Sequence, residues 1–221
     1  MSNYIIGTSN FNTIKDLCSD TMNHSKMTAI IGYPGAGKTT ALEWFTSEHE
    51  FVYYLKVEPS MSARQFYTKI LNVMGIEGKH LGNTLHDLIN DIAFRLNYNP
   101  IKKLLIVDEA GKFKMKFLEY LHEIRDKTDK STGIVLAGPE YFHENLKKWK
   151  NKGIIGVPEL YRRINHWEYL SPPTITETRK LCEMIGLTDE HVIKEIHNTS
   201  ENFSEITYKA ENELINQKKM K

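Results

Sequence analysis

Residues 29–45 read AIIGYPGAGKTTALEWF: an apolar run, a glycine-rich loop, a lysine, then apolar residues at helical spacing. Gly32, Gly37, Lys38 and Thr39 satisfy the pattern G-x-x-x-x-G-K-[ST], with a strand-like run ending at Ile31 and a helical pattern beginning at Lys38. Glycines let the backbone curl into a nest whose N–H groups converge on a phosphate chain, and the following helix presents its positive end to the same point. Lys38 adds a full charge for the β- and γ-phosphates, and Thr39 a hydroxyl for magnesium. Residues Gly32, Pro34, Gly35, Ala36, Gly37, Lys38, Thr39 and Thr40 are therefore expected to hold ATP with Mg²⁺ as a P-loop.

Such a loop needs a metal-holding acid on a neighbouring strand. Residues 102–110, KKLLIVDEA, supply one where four apolar residues run into Asp108. Asp108 is expected to hold the magnesium with Thr39, and Glu109, just past the strand's end, to polarise a water for attack on the γ-phosphate. Nucleotide binding alone does not require the second carboxylate, so its presence points to hydrolysis.

Around these motifs the chain alternates short apolar runs with helix-period segments, the pattern of an α/β fold. Five runs, at 28–31, 51–57, 104–107, 133–137 and 167–170, read as buried strands of one parallel sheet. Amphipathic segments at 39–47, 62–74, 84–96, 113–127 and 141–149 read as helices, as does TIKDLCSDTMN at 13–23, expected to pack near the adenine. The proline pair in SPP, residues 171–173, can continue neither sheet nor helix and marks a boundary. A P-loop domain over 1–171 is expected to precede a small helical lid over 172–221, whose first two helices open on threonines. The 221 residues are 40% hydrophobic and 26% charged, with a formal net charge of +1, so a nucleic-acid partner would have to be met by local basic patches. No apolar run reaches the length of a membrane span, and the first residues lack the pattern of a signal peptide, so an intracellular, cytoplasmic protein is expected. Cys18 and Cys182 are far apart and read as reduced thiols; the nine histidines never fall into a paired ligand pattern, so no zinc is expected.

The order of glycine-rich loop, two-helix insertion, LLIVDEA, helix, GIVLAGPEYF, arginine pair and helical lid resembles the AAA+ ATPases. Within them, residues 106–138, IVDEAGKFKMKFLEYLHEIRDKTDKSTGIVLAG, are similar to the target-selecting ATPases of Mu-like phages. The resemblance covers roughly residues 20–215. It implies a homo-oligomer, ring or helical filament, with each nucleotide completed by an arginine from the next subunit. In LYRRIN, residues 160–165, Arg163 matches that finger, with Arg162 as a second contact or a solvated neighbour. A guanidinium suits the role because it is planar, always charged and able to bridge developing charge on the γ-phosphate. The resemblance further implies a bacterial or phage-encoded protein that assembles on duplex DNA without sequence preference, engages a transposase and hydrolyses ATP.

Two departures from the family stand out. Gly138 and Pro139 occupy the position where a polar residue at the end of the fourth strand would orient water. Ser204 occupies the position of a phosphate-touching arginine in the lid. Slow turnover, stimulated by assembly on DNA, is the expected consequence. Phosphate contacts with DNA need local cations: GKFKMK places Lys112, Lys114 and Lys116 after the acidic motif, in spacing that suggests a loop, and NLKKWKNKG and the terminal QKKMK compete with it. The family's channel segments favour Arg64, Lys79 and Lys112, Lys114 and Lys116. Two other readings are a secretion-type AAA+ ATPase without DNA binding and a small-molecule kinase; the kinase would need neither Arg163 nor a three-helix lid.

Overall fold

The computed structural model describes residues 6–76 and 84–219. Helix α1 (Ser9–Asn23) precedes strand β1 (Met27–Ile31), then α2 (Lys38–Glu48) and β2 (Val52–Lys56). Helices α3 (Ala63–Val73) and α4 (Leu85–Asn97) lead to β3 (Lys103–Asp108) and a short 3₁₀ turn (Ala110–Lys112). There follow α5 (Met115–Lys127), β4 (Thr132–Gly138), α6 (Glu140–Asn151), α7 (Val157–Arg163) and β5 (His166–Tyr169). Helices α8 (Ile175–Ile185), α9 (Glu190–Thr199) and α10 (Phe203–Lys219) close the chain.

The strands form one sheet in the order β2-β3-β4-β1-β5, every pair parallel. Central strands β1, β3 and β4 are buried along their whole length, which is why they read as unbroken apolar runs. Alternate residues serve two faces. Ala29, Leu105, Val107, Ile134 and Leu136 pack with α3 to α7; Ile30, Leu104, Ile106, Val135 and Ala137 pack with α1 and α2. The first face is filled by aromatics, Phe66 lying stacked on Phe117 at 5.4 Å and edge-on to Phe113, a geometry that adds to plain area burial.

Helices α8 to α10 gather a separate cluster, Leu181, Cys182, Leu187, Ile193, Ile196, Ile206 and Ala210, joined by Ile6 from the chain's start. The start of α1 is tied to this unit through Glu177. Its Oε1 accepts Ser9 N and Oγ at 2.6 and 2.8 Å, and its Oε2 accepts Thr174 N and Oγ1, both at 2.8 Å. Asn10 binds the backbone of Ser171 in both directions. Burial alone would raise Glu177, but the hydrogen bonds from Thr174 and Ser9 more than offset it and hold the carboxyl below the usual glutamate range.

Three local details differ from the sequence reading. Helix α5 starts at Met115, not 113, because residues 110–112 turn as a 3₁₀ helix through Lys112 N to Glu109 O and Phe113 N to Ala110 O. Thr174 caps α8 as expected, but α9 is capped by Asp189, whose Oδ1 accepts the amides of His191 and Val192. Helix α7 has no counterpart in the periodicity, since seven residues starting with a proline near the N-terminus carry too short a pattern. Both cysteines are buried and unpaired; burial pushes the Cys18 thiol up to about 12 and Cys182 to about 11, so neither is a nucleophile at neutral pH.

Candidate functional site

At the C-terminal end of β1 the chain turns through residues 32–37, with Gly35 and Gly37 at φ +78° and +85°, a left-handed backbone that favours glycine. Gly37 caps α2 without a side chain, so the amides of the helix's first turn point into a cleft of about 600 Å³. One wall of the cleft is the loop from Pro34 to Thr40 together with Glu109. The opposite wall comes from Thr8 and Phe11 at the start of α1 and from Phe203, Ser204, Thr207 and Tyr208 of α10. The helix expected near the adenine therefore reaches the cleft with its first turn. Lys38 is the only cation among the described residues that line it. Its Nζ donates to the carbonyls of Gly32 and Tyr33 at 2.6 and 2.9 Å. Burial lowers its pKa, partly countered by Asp108 and Glu109.

Asp108 ends β3 beside this loop and is 1% exposed. Its Oδ2 accepts Thr39 Oγ1 at 2.6 Å and Tyr54 OH at 2.9 Å, while Oδ1 accepts the Glu109 amide at 2.7 Å. Sequence reasoning missed Tyr54, on β2, because nothing local distinguishes it. Burial and the neighbouring Asp108 push its phenol well up, so it stays protonated and donates. A hydroxyl and a carboxylate side by side form the hard oxygen pair that magnesium takes together with phosphate oxygens and water. Thr39 and Asp108 thus fit the metal assigned to them; among the described residues no cluster of three or more acidic, histidine or cysteine ligands competes for it.

Glu109 follows at φ +59°, the left-handed region, uncommon for a non-glycine residue. Strain of this kind collects at functional positions. The turn carries its carboxylate to the rim of the cleft, where Lys112 lies 3.2 Å from Oε2 and Lys56 lies 3.9 Å from Oε1. Lys56 is set there by strand register, opposite Asp108 across the β2–β3 pair.

The two departures from the family pattern have visible packing behind them. A Cβ on Gly138 would lie 3.1 Å from Phe142 and 3.2 Å from the Gly111 amide, so the turn after β3 seats directly on the end of β4 where a side chain would otherwise stand. In the C-terminal helices, Asn202 caps the start of α10 through Glu205 N and, with Ser204, sits over Gly35: a Cβ there would come 2.6 Å from Asn202 Oδ1 and 3.0 Å from Ser204 Oγ. A glycine in the loop lets the small polar pair Asn202 and Ser204 approach the nest.

Arg163 stands elsewhere. Asn165 N donates to Met27 O at 2.7 Å and Asn165 Oδ1 accepts Met27 N, which fixes the residues after α7 to the N-terminal end of β1. The five residues of β1 separate that end from the P-loop, on the order of 16 Å, beyond one arginine side chain. There Arg163 Nη2 meets Asp126 Oδ1 at 2.7 Å. Arg162 lines the same polar cavity.

Of the basic residues proposed for DNA, Lys112 is engaged with Glu109 and Lys114 Nζ donates to Met61 O at 3.0 Å, which joins the turn after β3 to the approach to α3. Arg64, in the first turn of α3, and Lys116 are exposed. These four lie on neighbouring segments; Lys79 is outside the described residues. Lys150 of the competing cluster lies over the Tyr161 ring at 4.4 Å. Among the described residues no helix is long and apolar enough to cross a membrane.

DNA transposition protein B of the Mu-like prophage FluMu, from Haemophilus influenzae (strain ATCC 51907 / DSM 11121 / KW20 / Rd), is 28% identical over 185 residues, 79% of this chain and 59% of that protein. This chain thus spans under two thirds of that relative's length. Among solved structures, the ADP form of the Aeropyrum pernix ORC2 protein superposes with a TM-score of 0.69 at 14% identity, over 95% of this chain and 64% of that one. The Aeropyrum pernix ORC1 protein in complex with DNA gives 0.67 at 12% identity, over 98% and 62%. At such identities the likeness is one of fold. The AAA domain family matches residues 21–146, and with the glycine-rich loop, the Asp108–Thr39 pair and the five-stranded parallel sheet in place, the chain belongs to that family.

Proposed function

We propose that the protein is an ATPase that assembles as an oligomer on duplex DNA, without regard to sequence, and marks that DNA as a target for a transposase. In this reading the P-loop and Lys38 hold ATP, Thr39 and Asp108 hold Mg²⁺, and a lid of residues 172–221 covers the base. Magnesium supplies charge neutralisation at the β- and γ-phosphates. Tyr54 keeps the Asp108 carboxylate in place, and Glu109 accepts the proton of the attacking water. Arg163 serves the nucleotide of the neighbouring subunit. Arg64 and Lys112, Lys114 and Lys116, with Lys79, meet DNA phosphates.

The observation that carries the reading is the separation of Arg163 from its own chain's Lys38, Asp108 and Glu109 by the length of β1. The separation supports a role for Arg163 across a subunit boundary, because the nucleotide loop of its own chain lies out of its reach. The transposition role rests on similarity to the prophage transposition protein.

Retention of random-sequence duplex DNA on a filter, with and without a non-hydrolysable ATP analogue, tests the proposal. Retention should appear only with the analogue and be equal on unrelated sequences. Glu109→Gln should still bind, stop hydrolysing and stay on DNA with ATP itself. Absence of retention in either condition would instead favour a secretion-type ATPase that does not bind DNA.

A further inference from the structure

At the N-terminal end of the sheet a cavity of about 380 Å³ is lined by Arg125, Asp126, Asp129, Arg162, Arg163 and Asn165. Three guanidinium groups share it with two carboxylates. Arg125 is 8% exposed, donates Nη1 to Thr132 O at 3.2 Å and keeps a buried Nε without a partner. The Nε of Arg163 is likewise buried without a partner, so its stem is packed and only the end of the guanidinium is held by polar contact. That contact is Asp126. Its Oδ1 takes Arg163 Nη2 at 2.7 Å, and its Oδ2 takes His122 Nε2 at 3.2 Å from one turn earlier on α5. Each carboxylate oxygen is thus engaged from a different side, and the chain His122–Asp126–Arg163 runs from α5 to the end of α7.

We propose that Asp126 is a positioning residue that aims Arg163 at the neighbouring subunit's nucleotide, a proposal that rests on Arg163 acting across the boundary. Asp126 and Arg163 are 38% and 40% exposed at their side chains, and a pair so open to water adds little to fold stability. Its effect lies in orientation. Arginine side chains carry many rotamers, and Arg163 stands beside Arg162 and near Arg125, which repel it. With Asp126 in place the end of the guanidinium is fixed before a phosphate arrives; without it that end shifts from its like-charged neighbours within the limits the packed stem allows and must be reordered in every catalytic cycle. Small misplacements of a group that stabilises a transition state are costly in rate.

The test compares ATP turnover, ATP affinity and DNA retention for Asp126→Ala, Asp126→Asn and Asp126→Glu beside Arg163→Ala. Asp126→Ala should lower kcat roughly 10- to 100-fold with ATP affinity and DNA retention as in the wild type. Asp126→Glu should regain part of that loss, and Asp126→Ala added to Arg163→Ala should change nothing further. Mixing gives the readout that a merely structural role would not move. A Glu109→Gln subunit brings an intact Asp126–Arg163 pair to an Asp126→Ala subunit that keeps its own Glu109, so turnover should reappear in the mixture of two slow proteins. Normal turnover in Arg163→Ala would remove the reading on which the proposal rests. With Arg163→Ala inactive, wild-type or faster turnover in all three Asp126 variants, or a loss that Glu109→Gln subunits do not relieve, would overturn the positioning role by itself.

Discussion

The two ends of the sheet are furnished to different degrees by this chain. At the C-terminal end, Asp108 is buried with both oxygens engaged, Lys38 is tied to two carbonyls, and the cleft is walled by α10 and by the start of α1. At the N-terminal end, Arg163 sits in a part-open ion pair above a polar cavity that keeps two guanidinium Nε atoms without partners. A cleft that gathers Lys38, Thr39 and Asp108 from one chain can bind its ligand alone, whereas Arg163, the length of β1 away, reaches no part of that cleft. On the proposed function, the contrast would separate nucleotide binding, a property of the subunit, from hydrolysis, a property of the assembly.

The largest expected break in that contrast is Arg163→Ala. It should lower turnover about 10³-fold, the range found for arginine fingers, while a nucleotide titration gives wild-type affinity, because Lys38, Thr39 and Asp108 are untouched at the other end. Weakened ATP binding in this variant would mean that the two ends are not independent. Lys38→Ala should do the reverse. Losing Lys38, the one lysine among the described residues that line the cleft, removes a charge-assisted contact of roughly 3 kcal/mol, about 100-fold in affinity, measurable as a weakened titration with a fluorescent ATP analogue.

A third change sharpens the account of the complete end. Glu177→Gln replaces the carboxylate that ties the start of α1 to the start of α8 and should cost about 2 kcal/mol in urea unfolding. Because the folded pKa of Glu177 lies below its unfolded value, its stabilisation is present above the ordinary glutamate value, about 4.3, and is lost as pH falls through the folded value. Wild type and Glu177→Gln should therefore differ at pH 7 and converge in acid. Parallel pH profiles for the two would show that the carboxylate's charge is not what holds the strap. The smallest effect is expected from Lys112→Ala or Lys114→Ala. Each should flatten the slope of log affinity for DNA against log salt by about 0.9 if the lysine meets one phosphate, equally on unrelated sequences. Lys112→Ala should also release one of the two lysines on Glu109, so a change in its DNA-free turnover, absent in Lys114→Ala, would expose a link between the basic turn and Glu109.

The binding end was legible in the sequence because its parts are contiguous. A strand, a glycine-rich loop and a helix start occur within residues 27–48, and the backbone conformation of that stretch follows from residue type alone. Asp108 and Glu109 were readable for the same reason, as the point where an apolar run meets charge. Strands β1, β3 and β4 were found to within a residue because burial on both faces leaves an unbroken apolar signature. Strands β2 and β5 were also located, but as edge strands they are only partly buried, not buried as expected. Helix α8 announced itself by its opening Thr174. Only the folded chain could decide what depends on register and packing. Tyr54 reaches Asp108, and Lys56 reaches Glu109, because β2 pairs with β3 in one register and no other. Asp126 meets Arg163 because α5 descends to the end of the sheet where α7 stops. None of these three partners carries a local mark, since a tyrosine or lysine on a strand or an aspartate near a helix end looks the same with or without its contact. Sequence determined which chemistry this protein holds, through motifs whose geometry is local; tertiary structure alone decided that the nucleotide loop and the arginine lie at opposite ends of β1, because that separation is set by the pairing of Met27 with Asn165 across strands far apart in the chain.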